Sequence, residues 1–212
     1  MKYLLLDVAG TLLHKPALFN KIQGVLTSHG HIIALNTLKY NHKLLSETIR
    51  FPDRTSKDFY IDFNAELLYS LGIIPTNTLL EEIFNTCSYL PWEKFDDTEA
   101  LQEVNIPIGI LSNFNSSLKE RLTQTFGQIF SDIFVSEELG VAKPSVEFYQ
   151  IALDKIGVDA KDILYIGDSF KLDLEPAMQL GITSYIIDRD NFYPNRSNTI
   201  SSLFDIEDLI KI

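Results

Sequence analysis

Cysteine is nearly absent. Cys87 stands alone among 212 residues, so no intrachain disulfide can form, and a reducing compartment is expected. Positive charge is also scarce: 18 basic residues face 29 acidic ones, for a formal net charge of −11. Nonspecific nucleic-acid binding needs Lys and Arg in excess to neutralise phosphates, so no nucleic-acid partner is expected. A small anionic ligand stays compatible, because a local site can be cationic on an acidic protein. Long apolar runs are missing as well. Nothing approaches the roughly 20 residues that span a bilayer, and Tyr3-Leu4-Leu5-Leu6 is cut by Asp7 before it could serve as a secretory leader. No membrane partner and a cytoplasmic location are therefore expected. There is no internal repeat and no low-complexity tract.

What is present is a core. Hydrophobic residues make up 45% of the chain and charged residues 22%, the balance of a globular protein. The length suits one large domain, or a domain with a smaller one inserted. Between about residues 16 and 90 the apolar spacing is helical. Leu18, Ile22, Val25 and Leu26 share a face, stopped by Gly30. A second helix is expected over Ile32–Ile49, with Leu38, Leu45 and Ile49 recurring, broken at Phe51-Pro52-Asp53. Ser56 reads as the N-cap of a third helix carrying Phe59, Phe63, Leu67 and Leu71, closed by Gly72. Thr78 with Glu81 reads as a capping box for a fourth.

From Ile106 onward short apolar runs alternate with helical spacing. Ile108–Leu111, Ile133–Val135, Ile163–Ile166 and Ser184–Ile187 read as buried strands, with helices between them and a helix running up to Gly181. Alternation of this kind implies right-handed βαβ units and a parallel sheet. Tyr3–Leu6 has the same composition and belongs in that sheet. The expected fold is α/β, a three-layer Rossmann-like core interrupted early by a four-helix insert.

Ligands of open parallel sheets bind beyond the carboxyl ends of the strands. The first strand delivers Asp7 there, and the second Ser112 and Asn113. The loop after the third delivers Lys143. The fourth delivers Asp168, with Asp173 five residues on. Each alone is ordinary turn chemistry. Together, in order at one sheet edge, they assemble hard oxygen ligands suited to Mg²⁺, a lysine for phosphoryl oxygens, and a carboxylate placed to act as nucleophile.

These four segments resemble the four motifs of the haloacid dehalogenase superfamily. The early helical insert is similar to the cap of its first subgroup. The resemblance implies a core over residues 1–15 and 91–212 and a cap over 16–90, joined near Lys15 and Pro91. It implies Asp7 as nucleophile and metal ligand, and Ser112 and Asn113 as phosphate contacts. Lys143 would neutralise both nucleophile and phosphate. The Mg²⁺ site would comprise Asp7, the Ala9 carbonyl, Asp168 and Asp173. A small phosphorylated metabolite would be the substrate, and the assembly a monomer or homodimer. One residue departs from the pattern. The family's phosphatases place a second Asp, the general acid and base, where this chain has Ala9. Three readings stay open: a phosphatase-type hydrolase that works without it or with a substitute such as His14; a phosphonatase-like enzyme, using a cap lysine among Lys39, Lys43 and Lys57; or a non-catalytic phospholigand-binding protein.

Overall fold

A computed structural model describes residues 1–52 and 54–211. Asp53 of the expected helix break and Ile212 at the end of the expected core lie outside the described residues. The chain forms two compact units. One joins Met1–His14 to Lys94–Ile212, and the other is Lys15–Glu93. They are called the core unit and the helical unit below.

The core unit is built on six parallel strands: β1 (Tyr3–Leu6), β2 (Ile108–Ser112), β3 (Phe130–Val135), β4 (Ile163–Gly167), β5 (Thr183–Ile187) and β6 (Thr199–Ile200). Their spatial order is β3-β2-β1-β4-β5-β6. The first strand of the chain is thus central. Leu4 lies opposite both Ile108 and Leu164, and Leu6 opposite both Ile110 and Ile166. Strands covered on both faces must be apolar throughout, and every residue of β1, β2 and β4 is buried. On one face Tyr3, Leu5, Leu111, Ile163 and Tyr165 pack with Phe148, Tyr149 and Ala152 of the helix Val146–Ile156. Leu4 and Leu6 point to the opposite face, since side chains alternate along a strand, and are equally buried.

The expected strands stand where they were read, with ends shifted by a residue or a few. Several features were not anticipated. The two-residue β6 carries no periodicity to detect. Asp96–Glu103 forms a 3₁₀ helix. The expected helix up to Gly181 is a π-type turn over Phe170–Leu174 followed by the short helix Glu175–Gln179.

The helical unit holds α1 (Leu18–Ser28), α2 (Leu35–Thr48), α3 (Lys57–Ser70) and α4 (Asn77–Cys87). Ile22, Val25, Leu26, Leu38, Leu67, Leu68, Leu79, Leu80 and Ile83 close a core of their own. Ser56 caps α3 as its sequence suggests, its hydroxyl accepting from the Phe59 amide at 3.1 Å. Two expectations need correction. The second helix begins at Leu35 rather than Ile32, because Ala34 is extended (ψ 139°) and Ile32 is 91% exposed with nothing to pack on. The cap of α4 is Thr76, not Thr78. Thr76 is extended and its hydroxyl accepts from the Leu79 amide at 3.3 Å, which leaves Thr78 inside the first turn.

Candidate active site

The carboxyl ends of β1 and β4 lie side by side, because those strands pair in register. Asp7 follows β1 and Asp168 follows β4. Lys143 arrives from the loop before Val146, and its ammonium sits between two buried carboxylates, 2.6 Å from Asp7 Oδ1 and 2.6 Å from Asp173 Oδ1. All three residues are at least 95% buried. Burial disfavours the Lys143 charge, yet Asp173 and Asp7 outweigh it and raise its pKa above the ordinary lysine value. Asp7 has the opposite problem. Its carboxyl is pushed up to about 7, chiefly by burial and with help from Asp173 and Asp168, against the downward pull of Lys143.

That upward push is a test of whether a cation fits. Oxygens of Asp7, Asp168 and Asp173 lie within 4.8 Å of one another. Three carboxylates against one ammonium leave negative charge unmatched where water is largely excluded. Carboxylate oxygens are the donors that hard divalent cations such as Mg²⁺ prefer. The residues therefore fit a divalent cation. Asp173 stands apart within the trio. Its Oδ1 accepts from Lys143 and from the Tyr165 hydroxyl (both 2.6 Å), and its Oδ2 from the Asp168 and Ser169 amides at 3.1 and 2.9 Å. Four donors match the roughly four lone-pair positions of a carboxylate.

Local sequence explains how the loops fit so tightly. Gly10 has φ +86°, and a Cβ there would overlap the Asp168 carboxylate. Gly167, at the tip of β4, likewise leaves no room for a Cβ beside Asp173. Val8 closes the turn after Asp7 by accepting from the Thr11, Leu12 and Leu13 amides. The Thr11 hydroxyl reaches Asp7 Oδ2 at 3.4 Å.

Ser112, at the end of β2, is 2% exposed. The Asn113 side chain does something other than the expected phosphate contact. Its Nδ2 donates to the Lys143 carbonyl at 2.9 Å and its Oδ1 accepts from the Lys143 amide at 2.7 Å. It clamps the lysine's backbone through both ends of its amide. His14 stacks on Phe95, with centroids 3.9 Å apart and planes 12° from parallel. The three lysines of the helical unit are engaged too. Lys43 pairs with Glu47 (3.3 Å) and Lys57 with Glu81 (2.7 Å), while Lys39 lies over the Phe19 ring at 5.9 Å.

Two residues escaped the sequence reading. Tyr165 lies inside the apolar run of β4, where an aromatic looks like core. Arg189 sits in an Asp-rich stretch after β5 that looks like surface loop. Its guanidinium grips Asp97 through Nε and Nη2 (2.9 and 2.8 Å), and donates to the Gly10 and Thr11 carbonyls at 3.0 and 2.8 Å. It also lies 3.7 Å above the Phe95 ring. Arg189 therefore fixes two peptide groups of the loop that follows Asp7.

The fold and this cluster of acids are those of one enzyme family. The model of the haloacid dehalogenase-like hydrolases matches residues 1–181, and the chain belongs to that family. Among curated relatives, glyceraldehyde 3-phosphate phosphatase of Methanocaldococcus jannaschii is 32% identical over 87 residues, 39% of this chain and 38% of that protein. Pyrimidine 5'-nucleotidase YjjG of Escherichia coli is 33% identical over 113 residues, 50% of each. The chain thus spans half or less of the length of these relatives. Among solved structures, magnesium-bound YfnB of Bacillus subtilis superposes with a TM-score of 0.68 at 21% identity, over 100% of this chain and 99% of that one. A 2-haloacid dehalogenase from Pseudomonas syringae pv. Tomato does so with a TM-score of 0.60 at 19% identity, over 100% and 98%. At such identities the likeness is one of fold. No described helix is long and apolar enough to cross a membrane.

Proposed function

We propose that the chain is a Mg²⁺-dependent phosphatase-type hydrolase of small phosphorylated metabolites, with Asp7 as nucleophile and the helical unit as a cap of the first-subgroup type. The observation that carries this reading is the buried Asp7–Lys143–Asp173 ion-pair chain with Asp168 beside it. A structural scaffold has no use for three acids and a lysine at one strand edge, whereas phosphoryl transfer needs charge placed this way. The two curated relatives, named as a phosphatase and a nucleotidase, point to the same class of substrate.

In this mechanism Asp7 attacks phosphorus. A bond forms from its carboxylate oxygen as the ester P–O bond breaks, giving an aspartyl-phosphate and an alkoxide. Lys143 orients Asp7 and draws its pKa down against the upward push of burial. Asp173 holds Lys143 and, through the amides of Asp168 and Ser169, sets the turn that presents Asp168. The Ser112 hydroxyl and the Asn113 amide bind phosphoryl oxygens. A Mg²⁺ ion held by Asp7, Asp168 and the Ala9 carbonyl would neutralise the charge of the transferring group. With all four of its positions filled by donors, Asp173 serves this site as a positioning residue.

Alanine at position 9 leaves the departing alkoxide to take its proton from water. The second step, attack of water on the aspartyl-phosphate, also lacks a base. General acid-base catalysis contributes about 10²–10⁴-fold. Ala9 therefore also supports a second reading, in which the phosphorylated ligand is bound and not turned over. The phosphonatase-like reading loses ground, because Lys43 and Lys57 are engaged in ion pairs with Glu47 and Glu81.

Replacement of Ala9 by Asp separates the two remaining readings. Ala9→Asp should raise Mg²⁺-dependent hydrolysis of p-nitrophenyl phosphate by up to about 100-fold, chiefly in breakdown of the phospho-enzyme. In the parent, mass spectrometry should find phosphate trapped on Asp7. A variant that folds, binds Mg²⁺ and stays as inactive as the parent would establish the binding role instead.

A further inference from the structure

We propose that Tyr165 is a positioning residue for the chemistry at Asp7: its hydroxyl takes the third proton of the Lys143 ammonium and so keeps that ammonium seated on the nucleophile. A lysine ammonium has three N–H donors and no acceptor. Lys143 Nζ donates to Asp7 Oδ1 at 2.6 Å, to Asp173 Oδ1 at 2.6 Å and to the Tyr165 hydroxyl oxygen at 3.2 Å. The same hydroxyl donates to Asp173 Oδ1 at 2.6 Å. Lys143, Asp173 and Tyr165 thus close a ring of hydrogen bonds, with Asp7 attached at the ammonium.

The hydroxyl is the informative atom. Every residue of β4 is buried, and Tyr165 packs in the cluster that holds Phe148, Tyr149 and Ala152. A phenylalanine would fill that space with no polar atom to desolvate. Tyr149 meets the Tyr165 ring edge-on, with centroids 5.5 Å apart and planes at 62°. The oxygen therefore reaches the ion-pair chain from a buried strand and a packed ring. Groups held on strands keep their geometry more closely than groups on loops.

A fixed ammonium matters when a phosphoryl group enters. That group brings more negative charge, and charges attract strongly where water is excluded. With a proton to spare, Lys143 would be free to turn from Asp7 to a phosphoryl oxygen and leave the nucleophile misaligned. With its three protons committed, its charge still attracts the phosphoryl group while its bonds stay on Asp7 and Asp173. Displacing a reacting group by about 1 Å can cost about 100-fold in rate.

What the pinning achieves rests on the phosphatase reading; the pinning itself does not, and the test keeps the two apart. The full chain is labelled with ¹⁵N-lysine and kept free of Mg²⁺. A buried ammonium with every proton bonded exchanges slowly and gives an NMR signal, which Lys143→Met assigns by its loss. Tyr165→Phe should broaden or abolish that signal. Tyr3→Phe is the control, since it removes another buried hydroxyl of the same cluster, one that donates to Asp132 at 2.8 Å. Both variants should lower Tm by about 2–6 °C, and only Tyr165→Phe should disturb the ammonium. Rapid quench with Mg²⁺ and p-nitrophenyl phosphate then follows phosphorylation of Asp7. Tyr165→Phe should slow it by about tenfold while orthophosphate affinity stays within about twofold of the parent, and Tyr3→Phe should leave both unchanged. An undisturbed ammonium in Tyr165→Phe, or an equal disturbance in Tyr3→Phe, would overturn the pinning and leave the chemistry of Asp7 untouched. A disturbed ammonium with an unchanged rate of phosphorylation would overturn the positioning role. A parent that never phosphorylates Asp7 would overturn the phosphatase reading, and the ammonium signal would still decide the pinning.

Discussion

Asp7, Lys143, Asp173 and Tyr165 in the core unit are polar groups held away from bulk water, whereas His42 in the helical unit is half-buried and the amide of Asn64 reaches solvent. They are held in opposite ways. In the core unit the charges interlock: one ammonium between two carboxylates, and one carboxylate filled by four donors. In the helical unit burial lowers the imidazole pKa to about 4, and the Asn64 amide stays open to solvent. A fully satisfied network fixes geometry, which phosphoryl transfer requires. The interlocked charges thus belong to the core unit alone among these groups.

The sharpest way to break this contrast is to remove the ammonium at its centre. Lys143→Met leaves Asp7 and Asp173 buried without their common partner. It should cost about 3–5 kcal/mol in chemical denaturation and abolish turnover. A loss below about 1 kcal/mol would mean that the ion-pair chain contributes little beyond what its burial removes.

Arg189→Ala comes next. It frees the Gly10 and Thr11 carbonyls and leaves Asp97 with only the Leu203 amide and the Ser202 hydroxyl. We expect a loss of about 2–3 kcal/mol and about a tenfold lower kcat with KM little changed. Arg189→Lys should recover only part of this, because a lysine lacks the fork that spans Asp97 and both carbonyls. A change confined to KM would show that Arg189 acts on ligand binding and not on the loop after Asp7.

The helical unit answers to pH through His42. Its pKa falls from 6.5 to about 4 on folding, so the unfolded chain binds the proton more readily. The associated stability is fully present above pH 6.5 and is lost as the pH drops toward 4, by about 1–3 kcal/mol. His42→Phe should flatten that slope in denaturant melts followed between pH 4 and 7. An unchanged slope would place the titrating group elsewhere. The smallest effect is expected at the cap of α3, where Ser56→Ala should lower stability by about 1 kcal/mol in denaturant melts.

How much of this could be read in advance depended on whether a residue's role was local. The strands of the core were legible because a parallel strand covered on both faces is a short, unbroken apolar run. Asp7, Lys143 and Asp168 stood out because each interrupts such a run, or follows it, at the edge where ligands bind. Tyr165 could not be found this way: inside ILYIG it satisfies the strand pattern while its hydroxyl serves Asp173. Arg189 was hidden because its partners, Asp97 and the turn at Gly10, are remote in sequence. Asn113 was placed at the right strand end, yet nothing local shows that its amide turns to the Lys143 backbone. In α2 the periodicity ran past the true start, since Ala34 departs from helical geometry without Gly or Pro to announce it.

The central place of β1 has a consequence for how the chain is made. Tyr3–Leu6 leaves the ribosome before the rest of its sheet, and its two neighbours begin only at Ile108 and Ile163. Until both have emerged, a fully apolar strand has no partner on either edge. The helical unit draws its core from Ile22 to Ile83 and can close long before then. Synthesis thus produces a folded helical unit tethered to a waiting strand, an aggregation-prone stage typical of sheets assembled from distant segments. Limited proteolysis of chains stalled shortly after residue 100 should find Lys15–Glu93 resistant and the first strand still open to cleavage.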